Sequence, residues 1–483
     1  MLVPYTAHAM RVLPARKLPM LLAGLTLLAL SAPASANAHG IVGKADLPIP
    51  VWLFSWTAAI VLVVSFVALS TLWRSPRLQQ EGGRRLVAIP RALDVPAGLI
   101  GLGLFALVIY SGFDGAQEAN ANFSVTFIYV IFWVGLPVAS VLFGDVFAAF
   151  SPWRSFARTL RWAAVKLRRR PMGTLRYPER LGMWPAVASI VGFAWLELVY
   201  LDRDRPSTLA ALSLGYFALS VAGMLAFGVE RWGGQADGFG VYFNLLSRLS
   251  ALVRREDGSL WLRRPLSGIT GLEVGPGTVA LVCAVIGTTT FDGFSNGGIW
   301  RNNEPSVQSW FSGLGFSQNP SIELAYSLGL VLCVLLIAAV YRVGILGVRS
   351  VGERYGSGEL SARFAHTLVP IGFAYVLAHY FSLLLWQGQA IGYLISDPLG
   401  DGSNLLGTAG YQIDYHVISY AGIWYVQVAA LLLGHVCGLM LAHDRALVLY
   451  ADPEEAVRSQ YWMLAVMVAF TSFGLWLLSS VGT

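Results

Sequence analysis

Long apolar runs recur along this chain, and they constrain its fold more than any other feature. Hydrophobic residues make up 56% of the 483 positions and charged residues only 12%. An apolar run of about 18 residues or more can cross a bilayer as a helix, which pairs its own backbone groups. The sequence therefore predicts an all-α fold, a polytopic transmembrane helix bundle of about ten spans: roughly 51–73, 94–112, 123–144, 183–201, 207–229, 274–291, 321–341, 368–395, 417–442 and 460–480.

The N-terminus has the pattern of a cleavable secretory signal. Basic residues precede an apolar run at 18–30, and Ala36-Asn37-Ala38 fits the small-x-small cleavage rule. We therefore predict a signal peptide at 1–38 and a single integral membrane domain at 39–483. Cleavage would leave His39 as the N-terminus, where its amine and imidazole could bind a metal; alternatively, the cut simply happens to precede a histidine.

The basic residues are distributed as a membrane topology requires. If residue 39 starts outside, the cytoplasmic loops hold 26 of the 33 Lys and Arg residues and the outer segments hold 4. Such an excess follows the positive-inside rule. It predicts a mature N-terminus on the periplasmic side of the membrane, and anionic lipid rather than nucleic acid as the partner of the basic surface. The predicted cytoplasmic loops are 74–93, 145–182, 230–273, 342–365 and 443–459.

Polar residues form stripes on the two apolar helices predicted between 366 and 445. This span holds five of the seven histidines, including His379 and His435. Ionisable groups within membrane helices usually face a bundle interior and mark function. The two helices should be antiparallel neighbours, with both imidazoles in one cavity as candidate catalytic groups. Candidate substrate-binding residues on the same stripes are Tyr375, Trp386, Gln389, Tyr420, Trp424 and Gln427, although such side chains can equally serve as packing contacts between helices.

Carboxylates accumulate in the predicted outer loops. Asp114 and Asp292 each lie in a Phe-Asp-Gly tripeptide at the outer end of a span, and we take both as candidate catalytic acids or bases. Asp414 and His416, together with His39, are candidate ligands for a divalent metal ion. Solvation alone would also explain acidic outer loops. Glu197 is harder to explain in that way, because it lies within apolar sequence.

Four segments of the chain resemble a bacterial family of polytopic membrane proteins labelled fenitrothion hydrolase. The likeness extends from His39 to about residue 449. The family implies a membrane-bound, aryldialkylphosphatase-type phosphotriester hydrolase that acts on a lipophilic small molecule, with a second membrane subunit. The segments are His39-Gly-Ile-Val-Gly-Lys-Ala-Asp-Leu-Pro-Ile-Pro-Val-Trp-Leu-Phe, Phe150-Ser-Pro-Trp-Arg, Asp237-Gly-Phe-Gly-Val-Tyr-Phe and Leu441-Ala-His-Asp-Arg-Ala.

Two other classes of function remain open from the residues alone. Polar stripes on adjacent helices are equally expected of a transporter or permease. An accessory subunit that handles a metal or haem would use His379 and His435 as ligands. The sequence leaves the cofactor open, with a divalent metal ion as one candidate.

Overall fold

Helices make up most of the described chain, which in the computed structural model covers residues 51–79, 82–169, 173–351, 354–450 and 452–480. The all-α bundle that the sequence predicts is confirmed; the signal peptide and His39 lie outside the described residues. Single-turn segments connect several helices. The helices longer than one turn are α1 (Val51–Leu72), α2 (Asp94–Asp114), α3 (Phe123–Phe143), α4 (Val146–Phe150), α5 (Pro152–Arg168), α6 (Trp184–Leu198), α7 (Pro206–Phe227), α8 (Val229–Gln235), α9 (Gly238–Ser247), α10 (Thr278–Ser295), α11 (Gly298–Gly313), α12 (Gln318–Arg349), α13 (Ser357–Phe364), α14 (Val369–Trp386), α15 (Tyr420–Leu449), α16 (Pro453–Ser459) and α17 (Tyr461–Ser480).

Nine helical segments of the described chain are long and apolar enough to cross a membrane. They coincide with nine of the ten predicted spans, so this is a multi-pass membrane protein in contact with lipid. The remaining span, predicted at 183–201, is the shorter helix α6 with 15 residues. At about 1.5 Å per residue, α6 is about 22 Å long and falls short of a hydrocarbon core of roughly 30 Å.

The loops rich in Lys and Arg lie at one end of the bundle, which we call the basic end. Two of them, predicted as plain loops, contribute the strands β1 (Gly83–Ala88), β2 (Leu252–Arg254) and β3 (Ser259–Arg263). The strands form an antiparallel sheet in the order β1-β3-β2. The sheet ties the connection after α1 to the connection after α9.

A buried carboxylate organises the basic end. Asp237, which precedes α9, is 2% exposed. It accepts hydrogen bonds from the Trp153 indole N–H and the Tyr216 hydroxyl, both at 2.6 Å. Burial raises the pKa of Asp237, and the two hydrogen bonds lessen that rise. The carboxylate thus joins α5, α7 and the start of α9.

Helices α14 and α15 pack as close antiparallel neighbours, as predicted. Gly434 of α15 lies against Pro370 and Ala374, and Gly438, one turn later, lies against Thr367. The partner number falls as the α15 number rises, which defines the antiparallel direction. Small residues four apart let two membrane helices approach closely.

Asp444, near the end of α15, fixes the segment that follows α1. The carboxylate is fully buried. It accepts hydrogen bonds from the Trp73 indole N–H at 3.2 Å, the Arg77 backbone N–H at 2.6 Å and the Gln79 side-chain amide at 2.7 Å. The adjacent His443 contacts the Trp73 carbonyl through Nε2 at 2.8 Å. The hydrogen bonds of Asp444 therefore hold the segment after α1 against the end of α15.

Candidate functional site

An aspartate and a histidine from two apolar helices meet inside the bundle. Asp292 lies in the last turn of α10, and His379 lies in the middle of α14. The His379 Nε2 atom is 2.9 Å from the Asp292 Oδ2 atom, and both side chains are about one-seventh exposed. The sequence names both residues as candidates, and the structure brings them together.

Two further side chains complete the hydrogen bonding of Asp292. The Tyr380 hydroxyl donates to the same Oδ2 atom at 2.7 Å, and the Asn296 amide lies 3.4 Å from Oδ1. Neighbouring helical positions point about 100° apart, so His379 and Tyr380 approach the carboxylate from different directions. Both carboxylate oxygens are thereby held in place.

A second carboxylate and a guanidinium lie close enough to act on this pair electrostatically. Glu197, in the last turn of α6, lies within electrostatic range of Asp292 and Tyr380, but no hydrogen bond joins it to either among the described residues. Arg203, in the connection after α6, lies within electrostatic range of Asp292 and Glu197, and no ion pair joins it to either within the described chain. The site therefore combines two acids, an imidazole, a phenol and a cation, which we call the Asp292 cluster.

The helix beside Glu197, α3, contains an unusual segment. Residues Phe127–Gly135 of α3 form a π-helical stretch. The Tyr129 hydroxyl donates to the Arg203 carbonyl at 2.9 Å, which anchors the connection that carries this arginine. Trp133 lies beside Glu197. Wide-turn helical segments are rare and recur at functional sites.

The geometry determines what His379 can do chemically. An ionised carboxylate only accepts hydrogen bonds, so the contact at Nε2 is an N–H that donates to Asp292. In the neutral ring, Nδ1 then carries the lone pair, and no hydrogen bond to Nδ1 occurs within the described residues. An imidazole oriented in this way can accept a proton from water.

His435 lies elsewhere. Its ring packs near Tyr375 and Phe470, with centroids 6.1 and 6.2 Å away, and it lines a cavity that His379 does not reach. The predicted shared cavity is therefore wrong for the described part of the chain. Antiparallel packing was predicted correctly, but the two rings leave α14 and α15 toward different neighbours.

Asp114 is exposed at the end of α2, and no hydrogen bond or ion pair joins it to the Asp292 cluster among the described residues. Its tripeptide partner Phe113 is 48% exposed, whereas Phe291 is fully buried. The two Phe-Asp-Gly sequences thus occupy different environments, so their shared sequence does not reflect a shared site.

The candidate metal ligands do not converge in the described structure. His416 Nδ1 lies 3.7 Å from Asp414 Oδ1, and the His416 side chain is 98% exposed. The residues described contain no group of three or more His, Cys, Asp or Glu side chains that could hold a metal ion. His39, the third predicted ligand, is outside the described residues.

The candidate substrate-binding residues divide into separate groups. Trp386 contacts Tyr420, with ring centroids 5.9 Å apart, while Trp424 and Gln427 are each 2% exposed. Gln389 instead holds the loop before α15: its amide donates to the Asp414 carbonyl at 3.0 Å and its oxygen accepts from the Asp414 N–H at 3.1 Å. Tyr375 lies apart from these residues, beside the His435 ring.

The fold and the Asp292 cluster define a polytopic α-helical membrane protein with a carboxylate–imidazole pair inside its bundle. Comparisons of the chain with protein-family models, with curated proteins and with solved structures find no match.

Proposed function

We propose that this protein is a membrane-bound hydrolase of lipophilic organophosphorus triesters, acting together with a second membrane subunit. The observation that carries the proposal is the contact between His379 and Asp292, which orients an imidazole as a general base. The resemblance described above supports the same activity. We also propose that the protein lies in the bacterial inner membrane with its mature N-terminus in the periplasm, which places Asp292 toward the periplasmic side.

In the proposed reaction, Nδ1 of His379 accepts a proton from a water molecule. The resulting hydroxide attacks phosphorus, and the bond from phosphorus to the aryl oxygen breaks. The aryloxide leaves as nitrophenolate, and the dialkyl phosphorothioate is the second product. Asp292 holds the ring and stabilises the imidazolium that forms, as a carboxylate does in other acid–base pairs. Among the described residues, no group of three or more His, Cys, Asp or Glu side chains around Asp292 could hold a metal ion, so no step here is assigned to one.

The aromatic group on α14 and α15 is suited to the organic part of such a substrate. Trp386 lies seven residues after His379, about 10 Å along the helix. The indole N–H groups of Trp386 and Trp424 are buried and have no hydrogen-bond partner among the described residues. Buried donors of this kind can bind oxygen atoms of a ligand. We propose that they bind the oxygens of the nitroaryl group.

Release of nitrophenol by membranes tests the proposal. Membranes from cells that express the chain, with the neighbouring genes supplied as well, should hydrolyse fenitrothion faster than membranes from cells without it. His379→Ala and Asp292→Asn should each lower turnover by about 10²–10⁴-fold, the usual effect of losing a positioned acid–base group. Glu118→Gln, at an exposed position near the same end of the bundle, is the matched control and should keep its activity.

Equal nitrophenol release with and without the gene would reject the hydrolase. Activity that persists unchanged in both His379→Ala and Asp292→Asn, at equal protein levels, would keep the hydrolase and exclude the Asp292 cluster as its site.

A proton-coupled transporter is the second candidate, and the hydrogen-bonded group of His379, Asp292 and Tyr380 favours it. Two carboxylates, a histidine and a tyrosine within one bundle are the groups of a proton relay. Proteoliposomes that contain a pH-sensitive dye distinguish the two functions. Substrate-driven acidification that is lost in Glu197→Gln, without nitrophenol release, would favour transport.

A further inference from the structure

A second candidate site lies in the bundle, apart from the Asp292 cluster. A cavity of about 60 Å³ lies between α10, α12, α14, α15 and α17. Its lining is almost entirely apolar, and the groups with lone pairs suited to a ligand are His435, Met463 and Met467. The space is large enough for an ion or a water molecule.

His435 lines this cavity and has an unpaired ring nitrogen. The ring is fully buried. Its Nδ1 atom lies 2.7 Å from the Leu431 carbonyl oxygen, so Nδ1 carries the proton and donates it to that oxygen. Nε2 therefore keeps its lone pair, and this atom is buried with no hydrogen-bond partner among the described residues. Metal-binding histidines typically have this arrangement, with the other ring nitrogen donating to a backbone carbonyl.

Two thioethers share the cavity with the imidazole. Met463 and Met467 are four residues apart on α17, so they lie on the same face of that helix. Each is 7% exposed. Thioether sulfur is a soft ligand that favours Cu(I) over Zn²⁺ or Mg²⁺.

We propose that His435, Met463 and Met467 form a binding site for one soft monovalent metal ion, Cu(I). All three ligands are neutral, and the described residues that line the cavity include no carboxylate. A divalent ion would leave two uncompensated charges in an apolar cavity, whereas Cu(I) leaves one and forms strong bonds to sulfur and imidazole.

A water molecule fits the same surroundings less well. A buried water needs two to four polar partners. The two hydroxyl groups in the lining already donate elsewhere: Thr367 to the Phe364 carbonyl at 2.8 Å and Tyr341 to the Ser361 carbonyl at 2.7 Å. The Nε2 atom of His435 and the lone pairs of both hydroxyls only accept hydrogen bonds, so these groups offer no donor to the lone pairs of a water molecule. The proposal is independent of the hydrolase proposal, because it shares no residue with the Asp292 cluster.

The test uses the full-length protein, purified in detergent and titrated with Cu(I) against the chelator bicinchoninate under anaerobic conditions. The wild type should bind one equivalent more than the double variant Met463→Leu/Met467→Leu, in which the sulfur atoms are lost while side-chain volume is nearly conserved. Met224→Leu replaces a fully buried methionine in another part of the bundle and should keep the wild-type stoichiometry. X-ray absorption of the bound copper should show both sulfur and nitrogen neighbours.

Thermal unfolding provides a second measurement that does not depend on stoichiometry. Cu(I) should raise the Tm of the wild type and of Met224→Leu, but not that of the double variant or of His435→Phe. If the double variant does not accumulate, the single variant Met467→Leu replaces it. We expect this variant to bind Cu(I) at least tenfold more weakly than the wild type. Equal stoichiometry and affinity in wild type and methionine variants would overturn the proposal, as would binding of Zn²⁺ but not Cu(I) at this site.

Discussion

Asp292 accepts hydrogen bonds from several side chains. The hydrogen bond from Tyr380 can be removed without changing the others. Tyr380→Phe deletes the hydroxyl that donates to Oδ2 at 2.7 Å and leaves the contact with His379 in place. A hydrogen bond to a charged group contributes about 1.5–3 kcal/mol, so we expect nitrophenol release to fall by roughly 10–100-fold, less than in Asp292→Asn.

The control for Tyr380→Phe is Tyr177→Phe at the basic end. Tyr177 is also buried, and its hydroxyl donates to the Gly182 carbonyl at 2.8 Å. This variant removes a comparable hydrogen bond far from the Asp292 cluster, so turnover per folded protein should stay at the wild-type value. An equal loss in both variants would mean that Tyr380 acts only through stability.

The sequence named Asp292 and His379 among four catalytic candidates, for different reasons: His379 is ionisable within an apolar run, and Asp292 lies in a Phe-Asp-Gly tripeptide at the outer end of a span. It could not select Tyr380, which lies one residue off the predicted stripe and whose importance depends on where α10 packs. The sequence paired His379 with His435 because it does not show which helix each ring contacts. Helical periodicity identifies which residues share a face, but it does not identify the helix that the face contacts.

A second prediction at the residue scale concerns stability. Asp444→Ala would leave the Trp73 indole, the Arg77 N–H and the Gln79 amide without their acceptor. A hydrogen bond to a charged group contributes about 1.5–3 kcal/mol, and because these three residues are partly exposed, water can replace the lost acceptor in part. We therefore expect a loss of about 2 kcal/mol. Unfolding in mixed micelles with increasing dodecyl sulfate measures it. A loss below about 0.5 kcal/mol, the value typical of a surface position, would contradict the structural role of Asp444.

At the scale of helices, the close packing of α14 on α15 predicts that a larger side chain at Gly434 destabilises the protein. A Cβ added at Gly434 would overlap the Cβ of Ala374 and lie 2.8 Å from the Pro370 carbonyl oxygen. We expect Gly434→Ala to destabilise the protein by about 1–3 kcal/mol, the usual cost of overpacking.

Gly103 of α2 is the matched control, because an added Cβ there meets no atom within 4 Å. Gly103→Ala should be neutral or stabilising by up to about 1 kcal/mol, since alanine is the better helix former. Unfolding in mixed micelles compares the two variants. Equal stability of both would show that α14 and α15 are not in close contact at Gly434.

Helix positions were largely predictable from the sequence, whereas the exceptions depend on long-range contacts. Apolar runs predict spans directly, because length and hydropathy are local properties. The sheet was not predicted, because β1 pairs with a strand more than 150 residues away and its sequence, Gly-Arg-Arg-Leu-Val-Ala, has no clear alternation. The π-helical stretch of α3 was also missed, since its composition is that of an ordinary apolar helix.

At the scale of the whole molecule, the sheet and the charge distribution are independent indications of one topology. Strand β1 follows α1, and strands β2 and β3 follow α9, so both connections lie at the same end of the bundle. The charge count assigns the same two loops, 74–93 and 230–273, to the cytoplasm. Because both loops lie on the same side, the chain between them must cross the membrane an even number of times. The helices α2, α3, α6 and α7 provide four, which requires α6 to cross the bundle despite its 15 residues.

This requirement gives the last prediction. Reporter fusions after Leu160 and after Ala251 should both be cytoplasmic, active as green fluorescent protein and inactive as alkaline phosphatase. Fusions at Asn302 and Ser403 should show the opposite activities, because they lie in the connections that the charge count places outside. The Leu160 and Ala251 fusions flank α6 and α7 and therefore form the matched pair. If α6 did not cross, the two fusions would report opposite sides. Phosphatase activity from the Leu160 fusion alone would place the α5 segment outside, and the cytoplasmic assignment of the Arg-rich loop would then be wrong.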